Sequence, residues 1–337
     1  MTRPAPAPAP AAAPLAVALA LAAILAAAAP AGAQQADERP TPASVLAAAP
    51  ASDWRAIDPA DLLVMELAPG AGGAGRRIAI QLLPPPFSQG WVENIRTLAR
   101  AHWWDGTSVY RVVDNWVAQW GAGEDEQGRA LPLPAGLRVV PESEYVAAVQ
   151  PGPQNGRDLV LTPRPEPVVV NRFLDAYALT GFVAGWPVGL DDEGGRTAWP
   201  VHCYGSVGVA RDLSPDTGTG AELYAVIGHA PRQLDRNIAV VGRVIEGIEH
   251  LATLPRGTGE AGVYADPAQR VPIVSVRLGN ELPATERPAF EYLATDSDSF
   301  ARYLQLRANR SDSFYIAPAG GVDLCNAPVP VRRVAAG

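Results

Sequence analysis

Trp103-Trp-Asp-Gly-Thr-Ser-Val-Tyr-Arg-Val-Val-Asp-Asn-Trp-Val-Ala-Gln-Trp-Gly121 holds two short apolar runs, each preceded by a bend. Asp105-Gly106 and Asp114-Asn115 supply the bends, because Asp, Asn and Gly tolerate the backbone angles that turns require. In a strand successive side chains alternate faces. Val109, Arg111 and Val113 would then share one face, with Tyr110 and Val112 on the other. In the second run Val117 and Gln119 would lie opposite Trp116, Ala118 and Trp120. A guanidinium cannot shed its charge, and burying it without a partner is very costly. Arg111 must therefore meet a carboxylate, a carbonyl or a ligand. The plainest partner is an acid such as Glu222, in a structural ion pair. The alternative places Arg111 and Gln119 on the working face of a sheet.

Strand signals recur on both sides of this stretch. Leu62–Leu67 and Arg77–Leu82 are apolar runs separated by a glycine-rich segment, Pro69–Gly75. That segment contains G-x-G-x-x-G, which cradles phosphate only when a helix follows. A strand follows here, so a hairpin turn is expected. Gln89–Trp103 repeats Val92, Ile95, Ala99 and His102 at helical spacing, with Ser88 as its candidate N-cap. From Ala122 to about Pro200 the pattern loosens into Pro, Gly and acidic punctuation, including Glu124-Asp-Glu126 and Asp191–Gly195, with short strand candidates at 159–161 and 168–170. Strands return at Ser206–Ala210, Glu222–Ile227, Ala239–Ile245 and Pro272–Leu278. A short helix is expected over Glu246–Leu254 and a longer one over Ser297–Asn309. Many strands, few helices and no βαβ rhythm predict a mainly β fold, an antiparallel barrel or sandwich capped by helices.

The ends and the composition restrict the function. Leu15–Ala29 is an apolar run after Arg3, and Pro30 and the small-x-small tripeptide Ala31-Gly32-Ala33 follow it. The run is short for a membrane span, so 1–33 is expected to be a cleaved secretory signal rather than a retained anchor, with no stable membrane insertion after cleavage. An exported, periplasmic protein results. Residues 34–60 carry no strong period and are expected to be a linker. A net charge of −8 without a single lysine argues against nucleic acid as a partner. Cys203 and Cys325 form a disulfide most simply in an exported chain, the alternative being two buried thiols. Their spacing and the scattered histidines match no metal site, and no cofactor motif is present.

The motifs also resemble a known family. Val92-Glu-Asn-Ile-Arg96, Trp104-Asp-Gly-Thr107, Tyr110-Arg-Val-Val113 and Gln119-Trp-Gly121 are similar, in order, to the V-x-N-F, Y-x-G-x-x-F-H-R-V and Q-G-G motifs of cyclophilin-type peptidyl-prolyl cis-trans isomerases. His202-x-x-Gly-x-Val-x-Val-Ala210-Arg211 is similar to H-x-x-G-x-[IV]-x-M-A-[NR]. Gly220–Tyr224 stands where S-Q-F-F is expected, and Ala239–Gly247 is similar to V-F-G-x-V-x-x-G. The likeness covers roughly 60–121 and 200–278. It implies a closed eight-stranded antiparallel barrel capped by two helices over 61–279. Residues 122–200 would form an enlarged loop insertion, and 280–337 a C-terminal helical extension packed on the domain.

The resemblance also implies a rotamase whose partners are proline-containing polypeptide segments. Arg111 would be catalytic, with Gln119 orienting it or holding substrate backbone. Trp116, Val117, Tyr224, Leu234 and Ile238 would wall the proline pocket, beside Ala210, Arg211 and Glu222. Departures from the pattern fall in this groove. Tyr110 replaces the histidine before R-V, Glu222 the glutamine of S-Q-F-F, and Tyr224 its last phenylalanine. Gln233-Leu-Asp-Arg-Asn-Ile238 replaces W-L-D-G-x-H, losing both Trp and His. The alternative function is a catalytically weak module that binds proline-containing segments as a chaperone or adaptor. A protease built on Asp216-Thr-Gly218 is excluded within one chain, because such enzymes need two facing carboxylates.

Overall fold

A computed structural model describes residues 39–123, 131–151, 158–161, 167–169, 173–191 and 197–334. In chain order the first strands are β1 (Trp54–Ala56), β2 (Leu62–Leu67), β3 (Arg76–Leu82), β4 (Ser108–Val112) and β5 (Val117–Gly121). Next come β6 (Ala147–Pro151), β7 (Asp158–Leu161), β8 (Pro167–Val169), β9 (Phe173–Leu174), β10 (Leu179–Val183), β11 (Trp186–Leu190) and β12 (Thr197–Pro200). The chain ends with β13 (Ser206–Val209), β14 (Leu223–Val226), β15 (Val240–Glu246), β16 (Val271–Leu278), β17 (Phe290–Leu293) and β18 (Val331–Arg333).

Eight strands close into an antiparallel barrel in the order β13-β14-β5-β4-β16-β2-β3-β15. Closure leaves no free sheet edge. Along β2 and β3, Leu63, Met65, Leu67, Ile78, Ile80 and Leu82 enter the barrel core. Leu62 and Ala79 instead pack outward against Ile57 and Phe290. Burial on both faces explains why β2 reads as a continuous apolar run rather than an alternating one. The glycine-rich segment before β3 is the β2–β3 connection, with Gly72 and Gly73 at φ 81° and 78°. Helix α1 spans Pro42–Ala48, α2 Gln89–Arg100, α3 Glu249–Ala252 and α4 Asp298–Ala308. The stripe of α2 (Trp91, Val92, Ile95, Leu98, Ala99) and Leu251 of α3 join the barrel core. Ser88 precedes α2 at φ 55° but makes no side-chain cap, so its expected capping role is not observed.

Three segments differ from their sequence reading. The described residues of 122–200 form more than the expected loop: β6–β12 build a second, seven-stranded sheet ordered β8-β7-β6-β12-β11-β10-β9, in which the strand candidates at 159–161 and 168–170 fall on β7 and β8. Its strands are only two to five residues long. Short strands between prolines and glycines show too few residues for a period to register. Ala147, Val149, Val188 and Ala198 of this sheet share the barrel's core cluster. Residues 34–60 are likewise not a plain linker. Thr41 and Ser44 form a capping box that starts α1, and β1 pairs with β17 in the three-stranded sheet β1-β17-β18. Helix α1 buries only Pro42 and Val45, too little to reveal helical spacing. The expected helix over 246–254 is reduced to α3.

Ser297 caps α4, whose Phe300, Tyr303 and Leu304 are buried, as the sequence predicts. Cys203, between β12 and β13, is disulfide-bonded to Cys325 of the tail, with Cα atoms 5.1 Å apart. No helix among the described residues is long and apolar enough to cross a membrane. The expected signal at 1–33, the acidic triplet 124–126 and most of 191–195 lie outside the described residues.

Candidate functional site

The ladder between β4 and β5 is bulged. Val109 pairs with Trp120 and Arg111 with Gln119, leaving Tyr110 as the extra residue. A bulge breaks the alternation of faces. Val109 and Val112 both point into the core, while Tyr110 and Arg111 both reach Gln119 on the outer face. The expected opposition of Tyr110 and Arg111 is thereby corrected. Arg111 Nη1 donates to Gln119 Oε1 at 2.9 Å, and Gln119 Nε2 donates to the Tyr110 hydroxyl. Arg111 Nε donates to the Ala261 carbonyl at 2.6 Å. That carbonyl belongs to a segment running along β4: Tyr264 and Gly257 donate backbone N–H to Tyr110 and Val112. Nη2 of Arg111 makes no hydrogen bond among the described residues. Burial pulls this guanidinium below its ordinary pKa, with Tyr110 opposing.

Glu222 does not pair with Arg111. Its Oε2 accepts the Tyr110 hydroxyl proton at 2.9 Å and its Oε1 the Gly123 amide at 3.1 Å. Burial raises its pKa, and the bonds from Tyr110, Gly123 and Ala122 offset part of that rise. Gly121 makes this arrangement sterically feasible. At φ +150°, a Cβ there would stand 2.2 Å from the Glu222 carboxylate. The outcome is a chain, Arg111–Gln119–Tyr110–Glu222, with the cation at one end and the carboxylate at the other. Gln119, Tyr110 and Glu222 line a cavity of about 670 Å³ with Ala210 and Arg211. Arg211 is fixed there by bonds to the carbonyls of Asn237 (3.0 Å) and Asp212 (2.6 Å).

An apolar cluster adjoins this chain. Val117, Tyr224 and Val226 are buried together, with Trp116, Ala210, Leu234 and Ile238 packed around them. Antiparallel pairing of β14 with β5 puts Tyr224 beside Gln119 and Val226 beside Val117. The sequence-predicted groove residues Arg111, Gln119, Trp116, Val117, Ala210, Arg211, Glu222, Tyr224, Leu234 and Ile238 therefore come together on one side of the barrel. The Tyr224 hydroxyl is turned into the protein, 2.9 Å from His202 Nε2. His202 Nδ1 lies 3.0 Å from Asp235 Oδ1, which also accepts the His202 backbone N–H at 2.9 Å. Arg232 donates to Asp235 at 2.7 Å and to Asp175, in the turn between β9 and β10 of the second sheet, at 2.6 Å.

Sequence reading missed several of these residues. Val226 carried only the signal of its strand, and Ala261 supplies a carbonyl, which no side-chain pattern reports. His202 stood in a quoted motif without a role, and Asp235 in a replaced one. Asp216, named only in the excluded protease reading, and Thr219 line the cavity with Arg270. No group of three or more His, Cys, Asp or Glu among the described residues is placed to hold a metal ion.

Residues 77–278, more than half of the chain, match the family model for cyclophilin-type peptidyl-prolyl cis-trans isomerases. Among solved structures the chain is similar to the cyclophilin AquaCyp293 from Hirschia baltica, with 23% identity and a TM-score of 0.61, covering 88% of this chain and 98% of that one. A cyclophilin-type isomerase from Cryptosporidium parvum, crystallised in the presence of the dipeptide Ala-Pro, matches at 11% identity and a TM-score of 0.34, covering 64% of this chain and 98% of that one. No curated protein matches the sequence.

Proposed function

We propose, from the premise that this chain belongs to the cyclophilin-type peptidyl-prolyl cis-trans isomerases, that it isomerises Xaa-Pro bonds of exported polypeptides and so assists their folding. The barrier to that rotation is ~18–20 kcal/mol, because twisting the amide destroys its resonance. Twisting localises on the nitrogen the lone pair that the planar amide delocalises into its carbonyl. A donor aimed at that lone pair stabilises the transition state more than the ground state, with no covalent step and no cofactor. Arg111 is the proposed donor, and the observation that carries the reading is its Nη2, uncommitted among the described residues, on a guanidinium bonded to Gln119, the ladder partner of Tyr224 in the apolar cluster. Gln119 orients the guanidinium. Trp116, Val117, Tyr224, Leu234 and Ile238 hold the proline ring, and Ala210 and Arg211 face the flanking residues. Because Tyr110 engages Glu222, that carboxylate is diverted from Arg111.

The test is cis/trans exchange on an Xaa-Pro peptide. Removing one positioned transition-state donor lowers kcat by about 10²–10³, so Arg111→Ala should fall by that factor with little change in KM. Equal rates for the native protein and Arg111→Ala would overturn catalysis. They would leave the second reading, a binding module, which the Ala261 carbonyl on Arg111 Nε favours. Export to the periplasm is proposed on Leu15–Ala33 and the Cys203–Cys325 bond. N-terminal sequencing of the protein from its native cells should begin at Gln34; an intact N-terminus would reject it.

A further inference from the structure

A second cavity, of about 430 Å³, lies between the outer face of the barrel, the second sheet and the C-terminal tail. It shares no lining residue with the cavity lined by Tyr110, Gln119 and Glu222. Phe182, Trp186, Val201, Tyr303 and Val329 give it an apolar wall, and Arg243 of β15 places a guanidinium in it. Barrel cations on this face are normally expected to be paired, because a desolvated charge without a counter-ion is costly. Among the described residues the hydrogen-bond partners of Arg243 are neutral. Its Nε and Nη2 donate to Gln81 Oε1 at 3.0 and 2.7 Å, and Nη1 donates to the Gly185 carbonyl at 2.8 Å. A guanidinium carries five N–H bonds, so two remain uncommitted among the described residues.

Below the guanidinium, 4.5 Å away, lies the ring of Trp186, whose own buried indole N–H has no acceptor among the described residues. Burial lowers the Arg243 pKa to about 10, with Tyr292 opposing. Surplus donors and a cation at an apolar cavity of ligand size call for one kind of occupant. It must bring an anionic acceptor and an apolar tail.

We propose that this cavity is a binding site for a small aliphatic carboxylate, whose headgroup pairs with Arg243 and whose tail lies against Phe182, Tyr303 and Val329. The carboxylate matches the planar fork of the guanidinium and can take both free N–H bonds at once. The proposal is independent of prolyl isomerase activity.

Titration calorimetry of the full-length, disulfide-bonded protein with sodium octanoate and with octan-1-ol tests it. Octanoate should bind saturably at one site, at least about tenfold more tightly than the alcohol, since charge-assisted bonds contribute more than neutral ones. Arg243→Met should bring octanoate to the level of octan-1-ol. Val331→Trp, at the cavity wall, should abolish binding of both, and it decides the location even if Arg243→Met fails to fold. Equal affinity for acid and alcohol, no saturable binding to the native protein, or binding that survives Val331→Trp would each overturn the proposal.

Discussion

Tyr110 stands between two groups that would otherwise compete. Its hydroxyl donates to Glu222 and accepts from Gln119, and Gln119 in turn accepts from Arg111. Replacing it by phenylalanine keeps the ring but leaves the buried carboxylate one hydrogen bond short. Bonds to charged groups contribute about 1.5–3 kcal/mol, so Tyr110→Phe should lower stability by about 2 kcal/mol in urea unfolding. It should also lower kcat/KM, because Gln119 and Arg111 lose their anchor. An unchanged unfolding midpoint would show that the chain is not coupled. Glu222 gives a pH test. Its folded pKa is raised, chiefly by burial, so the native state binds the proton more tightly than the unfolded chain. Its ionisation thus weakens the fold above the folded pKa, and the loss is relieved as pH falls toward the ordinary value of 4.5. The stability of Glu222→Gln relative to native should therefore be more favourable at pH 7 than at pH 4, read from paired thermal melts. A difference that is flat or reversed over that interval would remove Glu222 as the source.

At the scale of elements, the buried series Tyr224–His202–Asp235–Arg232–Asp175 links β14, the turn before β15 and the second sheet. Asp235 holds two partners at once, and both Arg232 and His202 are nearly solvent-free, at 4% and 0% side-chain exposure. Removing one member of a buried pair strands the other charge and costs about 3–5 kcal/mol. Asp235→Ala should lose stability in that range, whereas the exposed pair Arg256–Asp114 should contribute below about 1 kcal/mol when Asp114 is replaced. Similar losses for the two would mean that burial does not govern these pairs. The linkage was not legible in sequence: Arg232 and Asp235 are three residues apart, but Asp175, His202 and Tyr224 reach them only through the fold. The barrel strands were legible, since β2, β3 and β14 each carry enough apolar residues to set a pattern. The Arg111–Gln119 pairing was legible in residue type but not in geometry: the bulge at Tyr110 put Tyr110 on the face that alternation denied it. Of the second sheet only β7 and β8 were legible, as the strand candidates at 159–161 and 168–170, because its strands are brief and its turns dominate the composition.

Over the whole molecule, the N-terminal segment and the tail close on the same side. Val45 of α1, Trp54 of β1, Leu293 of β17, Phe300 and Tyr303 of α4 and Leu324 of the tail share one core cluster with Phe182 and Trp199 of the second sheet. Cys203 belongs to that cluster, and its bond to Cys325 closes a loop across 122 residues of sequence. A cross-link of that span removes much conformational freedom from the unfolded chain, worth up to about 5 kcal/mol in the entropic account. The tail also has apolar anchors of its own, Leu324, Ala327 and Val329, which hold it without the sulfur bond. Replacing both cysteines by serine should therefore leave the native far-UV and near-UV dichroism unchanged while lowering stability by about 3–5 kcal/mol. Denaturant midpoints of the double variant, with the native protein in reducing and non-reducing buffer alongside, measure this. Reduction should move the native midpoint to that of the variant. A reduced protein as stable as the oxidised one would place the stability of this side in the apolar cluster alone, and loss of near-UV signal would show that the tail is held by the disulfide rather than by its packing.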